Sequence, residues 1–138
     1  MTKTKLTTIL LIVLLALGLA ACGDSGSDGE IVGDVARGES LYNQATLGSK
    51  SAEGCVSCHN YDASEGDETN APFTQGTATR SESRVPGLTA EQYIEESILD
   101  PDAYLVEGYD AGSMYAEWDE DLTAQQLADL IAYLLTEK

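Results

Sequence analysis

The chain has 138 residues and carries 24 acidic against 7 basic side chains, a formal net charge of −17 at pH 7. This length suits one domain of ordinary size, and the charge argues against nucleic acid and anionic lipid surfaces as partners. The acidity favours either a partner with a basic surface or a solvated surface suited to a salty or acidic habitat, and both interpretations stay open.

The first 21 residues have the organisation of an export signal. Lys3 and Lys5 precede an apolar stretch over residues 6–19, which is shorter than the ~20 apolar residues of a spanning helix but typical of a signal peptide. The stretch ends in small residues before Cys22, the pattern of a bacterial lipobox. We therefore expect cleavage before Cys22 and a diacylglyceryl group on its sulfur. The alternatives are an ordinary cleavage site with a free cysteine, or an uncleaved anchor.

Residues 22–33 are predicted to be the lipidated cysteine and a flexible linker, because they are rich in glycine, serine and aspartate. Two or three acyl chains would hold such a protein stably at a membrane. Residues 34–138 are predicted to form the single folded domain.

The first predicted helix of that domain covers residues 34–43. Asp34 is a favourable N-cap residue, and Val35, Gly38, Leu41 and Tyr42 fall on one side at helical spacing. Gly38, four residues before Tyr42, predicts that another helix approaches closely here.

Cys55, Cys58 and His59 form a C-x-x-C-H run, the attachment signature of a c-type haem. Two thiols at this spacing can add across the two vinyl groups of one haem, and the adjacent histidine then ligates the iron. His59 is the only histidine, so the second axial ligand must be another residue type. Met114 is the only methionine left after removal of residues 1–21, and a His/Met pair is the ligation of electron-carrying cytochromes c.

Other interpretations of these residues are weaker. A structural zinc site needs four ligands, and no second Cys/His pair is present. A thioredoxin-like redox pair would need a βαβ context, which the sequence lacks. If Met114 were an ordinary core or surface methionine, the iron would be five-coordinate or bound by water.

Two further helices are predicted after the haem motif. Residues 90–99 begin with a capping-box pattern at Thr89 and end before Pro101. Residues 124–136 begin with a second capping box at Thr123 and carry an apolar stripe at helical spacing. A membrane or partner helix is the alternative for this stripe. Since no convincing hairpin signal is present, the predicted fold class is all-α.

This arrangement resembles class I monohaem cytochrome c over about residues 33–138. Gly38 and Tyr42 match the glycine and aromatic residue of the family's first helix, and Leu130 and Tyr133 match packing positions on its last helix. The resemblance implies N- and C-terminal helices packed across one covalently bound haem, with Met114 as its axial methionine.

Residues 84–98, followed by Pro101, Tyr109 and Met114, are also similar to two narrower groups. These are the cytochrome c domains of haem-copper oxidase subunit II and the monohaem lipoprotein subunit of alternative complex III. That likeness implies redox partners such as a quinol-oxidising complex or a terminal oxidase.

The chain departs from the family at several positions. Relatives often have Gly-Pro-x-Leu after the haem motif, and the nearest match here surrounds Pro72. Its carbonyl is predicted to accept a hydrogen bond from His59 and so orient that ligand. Arg84 or Tyr109 is predicted to bond a haem propionate, with a plain surface role as the alternative. Tyr115 follows Met114 where relatives usually have proline.

The sequence thus predicts a membrane-anchored, extracytoplasmic electron carrier with one haem c rather than an enzyme. The extracytoplasmic location is expected because covalent haem is attached outside the cytoplasmic membrane. Such a protein would serve a respiratory or photosynthetic chain. The alternatives are a fixed electron-relay subunit of a larger oxidoreductase complex, and a haem sensor or enzyme with an open iron site.

Overall fold

A computed structural model of the protein describes residues 30–138. The predictions of a signal peptide, of lipidation at Cys22 and of a linker up to residue 29 lie outside the described residues. Within them, no helix is long and apolar enough to cross a membrane. The helices are α1 Val35–Tyr42, α2 Thr77–Arg84, α3 Ala90–Leu99, α4 Trp118–Asp121 and α5 Ala124–Leu134, with a 3₁₀ turn at Cys55–Ser57 and two strands, β1 Thr46–Leu47 and β2 Ala52–Glu53.

The all-α class and the three predicted helices are confirmed. Asp34 caps α1 by accepting the backbone N–H of Arg37 at 2.8 Å. α3 and α5 both begin with complete capping boxes, at Thr89 and Thr123. The C-terminal helix ends two residues earlier than predicted, at Leu134.

The expectation that the chain lacks a hairpin was wrong in one place. β1 and β2 pair antiparallel, with Thr46 opposite Glu53 and Leu47 opposite Ala52. Each strand has only two residues, too few for a period-two pattern to be visible in the sequence. The hairpin occupies the connection between α1 and the haem motif.

α1 crosses α5 at a glycine, as the spacing of Gly38 and Tyr42 predicts. A Cβ atom on Gly38 would lie 1.9 Å from the carbonyl oxygen of Asp129, so no larger residue fits without separating the helices. Beside this contact the rings of Tyr42 and Tyr133 pack with centroids 5.3 Å apart. Leu130, on the same face of α5, is only 2 % exposed.

A buried carboxylate ties the two terminal helices together. Asp129 is 2 % exposed and accepts the side chain of Arg37 through both oxygens, at 2.8 and 2.9 Å. It also accepts the backbone N–H of Asp34 and the side-chain amide of Gln125, each at 2.8 Å. These charge-assisted hydrogen bonds offset the desolvation of the carboxylate.

The described end of the predicted linker also contacts α5. The side-chain amide of Gln125 donates to the carbonyl of Val32 at 2.9 Å, and a Cβ on Gly33 would lie 2.2 Å from the carbonyl oxygen of Ala128. The first residues of the domain are therefore packed against its C-terminal helix.

Candidate functional site

The 3₁₀ turn that carries the two thiols follows directly after β2. A Cβ on Gly54 would lie 1.9 Å from the carbonyl oxygen of Gln44, so glycine lets the chain pass close to the end of α1 before it turns. The N–H groups of Cys58 and His59 both donate to the carbonyl of Cys55, at 3.2 and 2.9 Å. This tight turn brings the three residues of the motif together.

Cys55 and Cys58 are both free thiols in the structure. Cys58 is exposed, whereas Cys55 is partly buried and packs against the hydrophobic core. Burial raises the pKa of the Cys55 thiol to about 11, so this sulfur is protonated at neutral pH. One thiol is therefore half-buried against the core and the other lies at the surface.

His59 is held by the segment that contains Pro72. The Nδ1 atom of His59 lies 2.8 Å from the carbonyl oxygen of Pro72. Two backbone hydrogen bonds keep this segment beside the motif: Thr74 donates to the carbonyl of Asn60 at 3.0 Å, and Gln75 to that of Tyr61 at 2.9 Å. The hydrogen bond to Pro72 assigns the proton to Nδ1 and leaves Nε2 available as a metal ligand.

Burial lowers the pKa of His59 below its ordinary value, and this effect outweighs the hydrogen bond to Pro72, which raises the pKa. The imidazole is therefore neutral at pH 7, the form in which a histidine ligates a metal.

The predicted site residues within the described part of the chain meet at one cavity of about 290 Å³. Its walls also include core residues of α3 and α5, such as Ile94, Leu130 and Leu134. The seven predicted residues that line it are Cys55, Cys58, His59, Pro72, Arg84, Tyr109 and Met114.

The two residues predicted to bond a propionate differ in how they are held. The hydroxyl of Tyr109 donates to the backbone carbonyl of Glu68 at 3.0 Å, which links two loops beside the cavity. Arg84 is the last residue of α2, and within residues 30–138 it forms no ion pair. Its guanidinium therefore remains available to an anionic group in the cavity.

Arg80 has a role in the cavity wall that sequence reasoning did not assign, whereas the sequence favours a packing role for Trp118. Arg80 donates to the carbonyls of Phe73 and Gln75, the latter at 2.6 Å, and so fixes the segment next to Pro72. Trp118 is 4 % exposed and packs edge-on against Tyr115, with ring centroids 4.7 Å apart. No local motif marks Arg80, because its partners are backbone carbonyls brought near by the fold.

The sequence model of the family described as "Cytochrome c" matches residues 35–138, three quarters of the chain. The protein belongs to the cytochrome c family. No curated protein and no solved structure matches the chain significantly. The family match establishes the cytochrome c fold, covalent haem c as cofactor and a role in haem-based electron transfer.

The residues of the cavity fit a covalently bound haem. Two thiols and a histidine with its Nε2 free line one space, and the remaining wall is largely aliphatic and aromatic. Haem c supplies an iron that takes up and releases single electrons. The protein contributes attachment, ligation and a largely apolar enclosure.

Proposed function

We propose that this cytochrome is a membrane-tethered, monohaem electron carrier on the outer side of the membrane, and not an enzyme. The observation that carries the proposal is the hydrogen bond from His59 to Pro72, in a cavity that also contains both motif thiols and Met114. In this proposal Cys55 and Cys58 form the two thioether links. His59 and Met114 are the axial ligands, a pair that raises the reduction potential.

Each of these residues acts by holding a fixed position. Pro72 keeps the imidazole of His59 in one tautomer and one orientation. With both iron ligands supplied by protein side chains, little rearrangement would accompany each electron transfer. The aliphatic wall formed by Ile94, Leu130 and Leu134 would exclude water from the cofactor. Exclusion of water would favour the reduced state of the haem, which carries less charge.

The surface beside Cys58 is the point where we expect electrons to enter and leave. Cys58 is exposed, and its neighbour Val56 is 39 % exposed. A redox partner that covers these residues would approach the cofactor through a thin layer of protein. Since the chain is strongly acidic, we propose a partner with a basic surface, such as a quinol-oxidising complex or a terminal oxidase.

The tether rests on the lipobox pattern before Cys22. A lipid on Cys22 would leave the cytochrome domain on the extracytoplasmic face, connected by a short glycine- and serine-rich segment. Fractionation of cells that express the full chain tests this step. The wild type should sediment with membranes. A Cys22→Ser variant should either be released as a soluble protein or be retained as the uncleaved precursor. If cleaved Cys22→Ser protein sedimented with membranes like the wild type, lipidation would be contradicted.

A fixed relay subunit of a larger complex, such as alternative complex III, is a second candidate. The observation in its favour is that Tyr104 and Leu105 line the cavity and yet are 40 % and 45 % exposed. Apolar side chains at such a rim suit burial by a permanent neighbour. Stable co-purification after mild detergent extraction favours this candidate, and recovery as a free monomer favours the carrier.

The central function is tested by potentiometric titration and by electron exchange. The mature holoprotein should titrate as a one-electron couple and should exchange electrons with a basic redox protein at a rate that falls steeply with ionic strength. An acidic redox protein of similar size is the control, and its rate should be slow and should rise with salt. Equal rates with both proteins would contradict the proposed partner chemistry, and absence of a one-electron couple would contradict the carrier function.

A further inference from the structure

The hairpin that precedes the haem motif is fastened to α4 by a buried carboxylate. Asp121 is 4 % exposed, and its Oδ1 atom accepts the hydroxyl of Ser49 at 2.7 Å and the backbone N–H of Lys50 at 2.6 Å. The N–H of Ser49 also donates to the carbonyl oxygen of Asp121 at 3.3 Å. The tip of the hairpin and the end of α4 therefore share three hydrogen bonds.

An ion pair reinforces this contact at the surface. The Nζ atom of Lys50 lies 3.0 Å from a carboxylate oxygen of Glu117 and 3.0 Å from one of Glu120. The hydroxyl of Tyr115 donates to the same oxygen of Glu117 at 3.4 Å. One lysine of the hairpin thus bridges a carboxylate just before α4 and another within it. Because these side chains are exposed, salt should weaken both ion pairs.

The carboxylate of Asp121 depends on the hairpin. Burial opposes its ionisation, but the hydrogen bonds from Ser49 and Lys50 outweigh burial and lower the pKa of Asp121. Its Oδ2 atom is buried and has no hydrogen-bond partner within residues 30–138. A Cβ on Gly48, which has φ +80°, would lie 2.4 Å from that atom. Because an under-satisfied buried carboxylate is a costly group, loss of the hairpin contacts would drive α4 outward.

α4 is directly coupled to Met114. Trp118 begins α4 and packs against Tyr115, the residue after Met114. All three residues line the haem cavity, and so do Glu53 and Gly54 at the base of the hairpin. A displacement of α4 would therefore move the segment that carries Met114.

We propose that the hairpin Thr46–Glu53 and α4 form a latch that keeps Met114 in place, with Lys50 and Asp121 as positioning residues. This inference rests on the proposed function, because it assumes that Met114 ligates the iron. It adds that stable ligation depends on two residues that do not line the cavity.

The test compares variants of the mature holoprotein by the weak oxidised-state band near ~695 nm, which reports methionine ligation. The variants are Lys50→Gln, Ser49→Ala and Asp121→Asn. We expect each to reduce the band while far-UV circular dichroism stays unchanged. We also expect reduced Asp121→Asn to bind carbon monoxide roughly tenfold faster than the wild type, because the amide makes only neutral hydrogen bonds and places an N–H group where Oδ2 has no partner. Amide hydrogen exchange over residues 114–122 should accelerate as well.

Two control variants separate positioning from general stability. Lys50→Arg keeps a cation that can reach both glutamates and should retain the band. Arg37→Gln removes the partner of Asp129 at the α1–α5 crossing, so it should lower the melting temperature while the band persists. Raising the ionic strength should weaken the band in the wild type, as the Lys50→Gln substitution does. In the Lys50→Gln variant, added salt should have little further effect on the band.

The possible results are distinct. If all three latch variants keep the band at its wild-type intensity, the latch is overturned and the proposed function stays intact. Equal loss of the band in Arg37→Gln also overturns the latch, because general destabilisation then explains it. A wild-type holoprotein without the band overturns both proposals. If Asp121→Asn fails to fold, Ser49→Ala, which removes a single hydroxyl, decides between these results.

Discussion

The Nδ1 atom of His59 lies 2.8 Å from the carbonyl oxygen of Pro72, thirteen positions further along the chain. The two residues meet because Thr74 and Gln75 bond to the backbone beside the motif. A hydrogen bond at Nδ1 increases the basicity of the ligating Nε2. With His59 as the proposed ligand, this contact would both orient the imidazole and tune the iron.

Replacement of Pro72 by alanine tests this contact. Alanine keeps the carbonyl but frees the backbone, so the hydrogen bond should lengthen and His59 should become a poorer electron donor. We expect the reduction potential to rise by roughly tens of millivolts, given that ~59 mV is a tenfold change for one electron. The Nδ1 proton should exchange faster by NMR.

Thr69→Ala is the matched control for Pro72→Ala, because among the described residues the Thr69 side chain bonds only to Asp67, in the same exposed loop. It should leave the potential and the exchange rate unchanged. If Pro72→Ala behaved like this control, the hydrogen bond would not orient His59 in the holoprotein.

Gly38→Ala should destabilise the fold despite the higher helix propensity of alanine. On an exposed helix surface this change would stabilise by about 1 kcal/mol, but here the added Cβ would lie 1.9 Å from the carbonyl oxygen of Asp129. Overpacking of this kind costs about 1–3 kcal/mol, so the free energy of unfolding in urea should decrease. Glu39→Ala, at the exposed next position, is the control; a more stable Gly38→Ala variant would show that the helices are not in close contact.

Asp129 should make the fold sensitive to acid. The hydrogen bonds from Arg37 lower the pKa of this buried carboxyl from 3.8 to about 2. Because the folded-state pKa is depressed, the stabilisation is fully present above pH 3.8 and is lost as the pH falls towards 2. An Asp129→Asn variant should have a lower melting temperature at pH 7, by roughly 5 °C or more.

The difference in melting temperature between wild type and Asp129→Asn should shrink as the pH falls from 4 to 2. In that range the unfolded chain binds a proton at Asp129, which has an ordinary pKa of 3.8, whereas the folded chain does so only near pH 2. Calorimetry at a series of pH values measures this. A difference that stays constant down to pH 2 would mean that Asp129 is not held as a buried anion.

The hydroxyl of Tyr42 contributes to the core through Thr74. The two side-chain oxygens lie 2.5 Å apart in a buried contact, and burial strongly raises the pKa of Tyr42. Tyr42→Phe leaves the Thr74 hydroxyl without this partner, so we expect a loss of about 1–2 kcal/mol in the free energy of unfolding. Tyr104→Phe, at a side chain that is 40 % exposed, should change stability little; equal effects would contradict a buried hydrogen bond.

Sequence reasoning succeeded where local chemistry determines the outcome. Thr89 and Thr123 mark helix starts through their own side chains, and the thiol spacing defines the haem motif within five residues. Gly38 reveals a helix crossing because only glycine permits so close an approach. These features need no knowledge of distant parts of the chain.

The remaining elements depend on contacts that no local pattern reveals. α2 buries only the small residues Ala78 and Ser81, so it has no apolar stripe. The hairpin is held by Asp121, some seventy positions later. The contact of Pro72 with His59 was predicted from a partial motif, and a packing role was predicted for Trp118. The part of Arg80 in the cavity wall was not predicted, because tertiary packing alone brings it there.

The most direct test is the absorption spectrum of the mature protein, oxidised and then reduced, in the wild type and in Met114→Ala. The account predicts a sharp c-type α-band on reduction, together with a weak oxidised-state band near ~695 nm that Met114→Ala abolishes. A c-type haem without that band, which binds carbon monoxide readily, would contradict His/Met ligation and favour an open iron site. Absence of haem after expression with the maturation machinery would contradict the role of Cys55, Cys58 and His59.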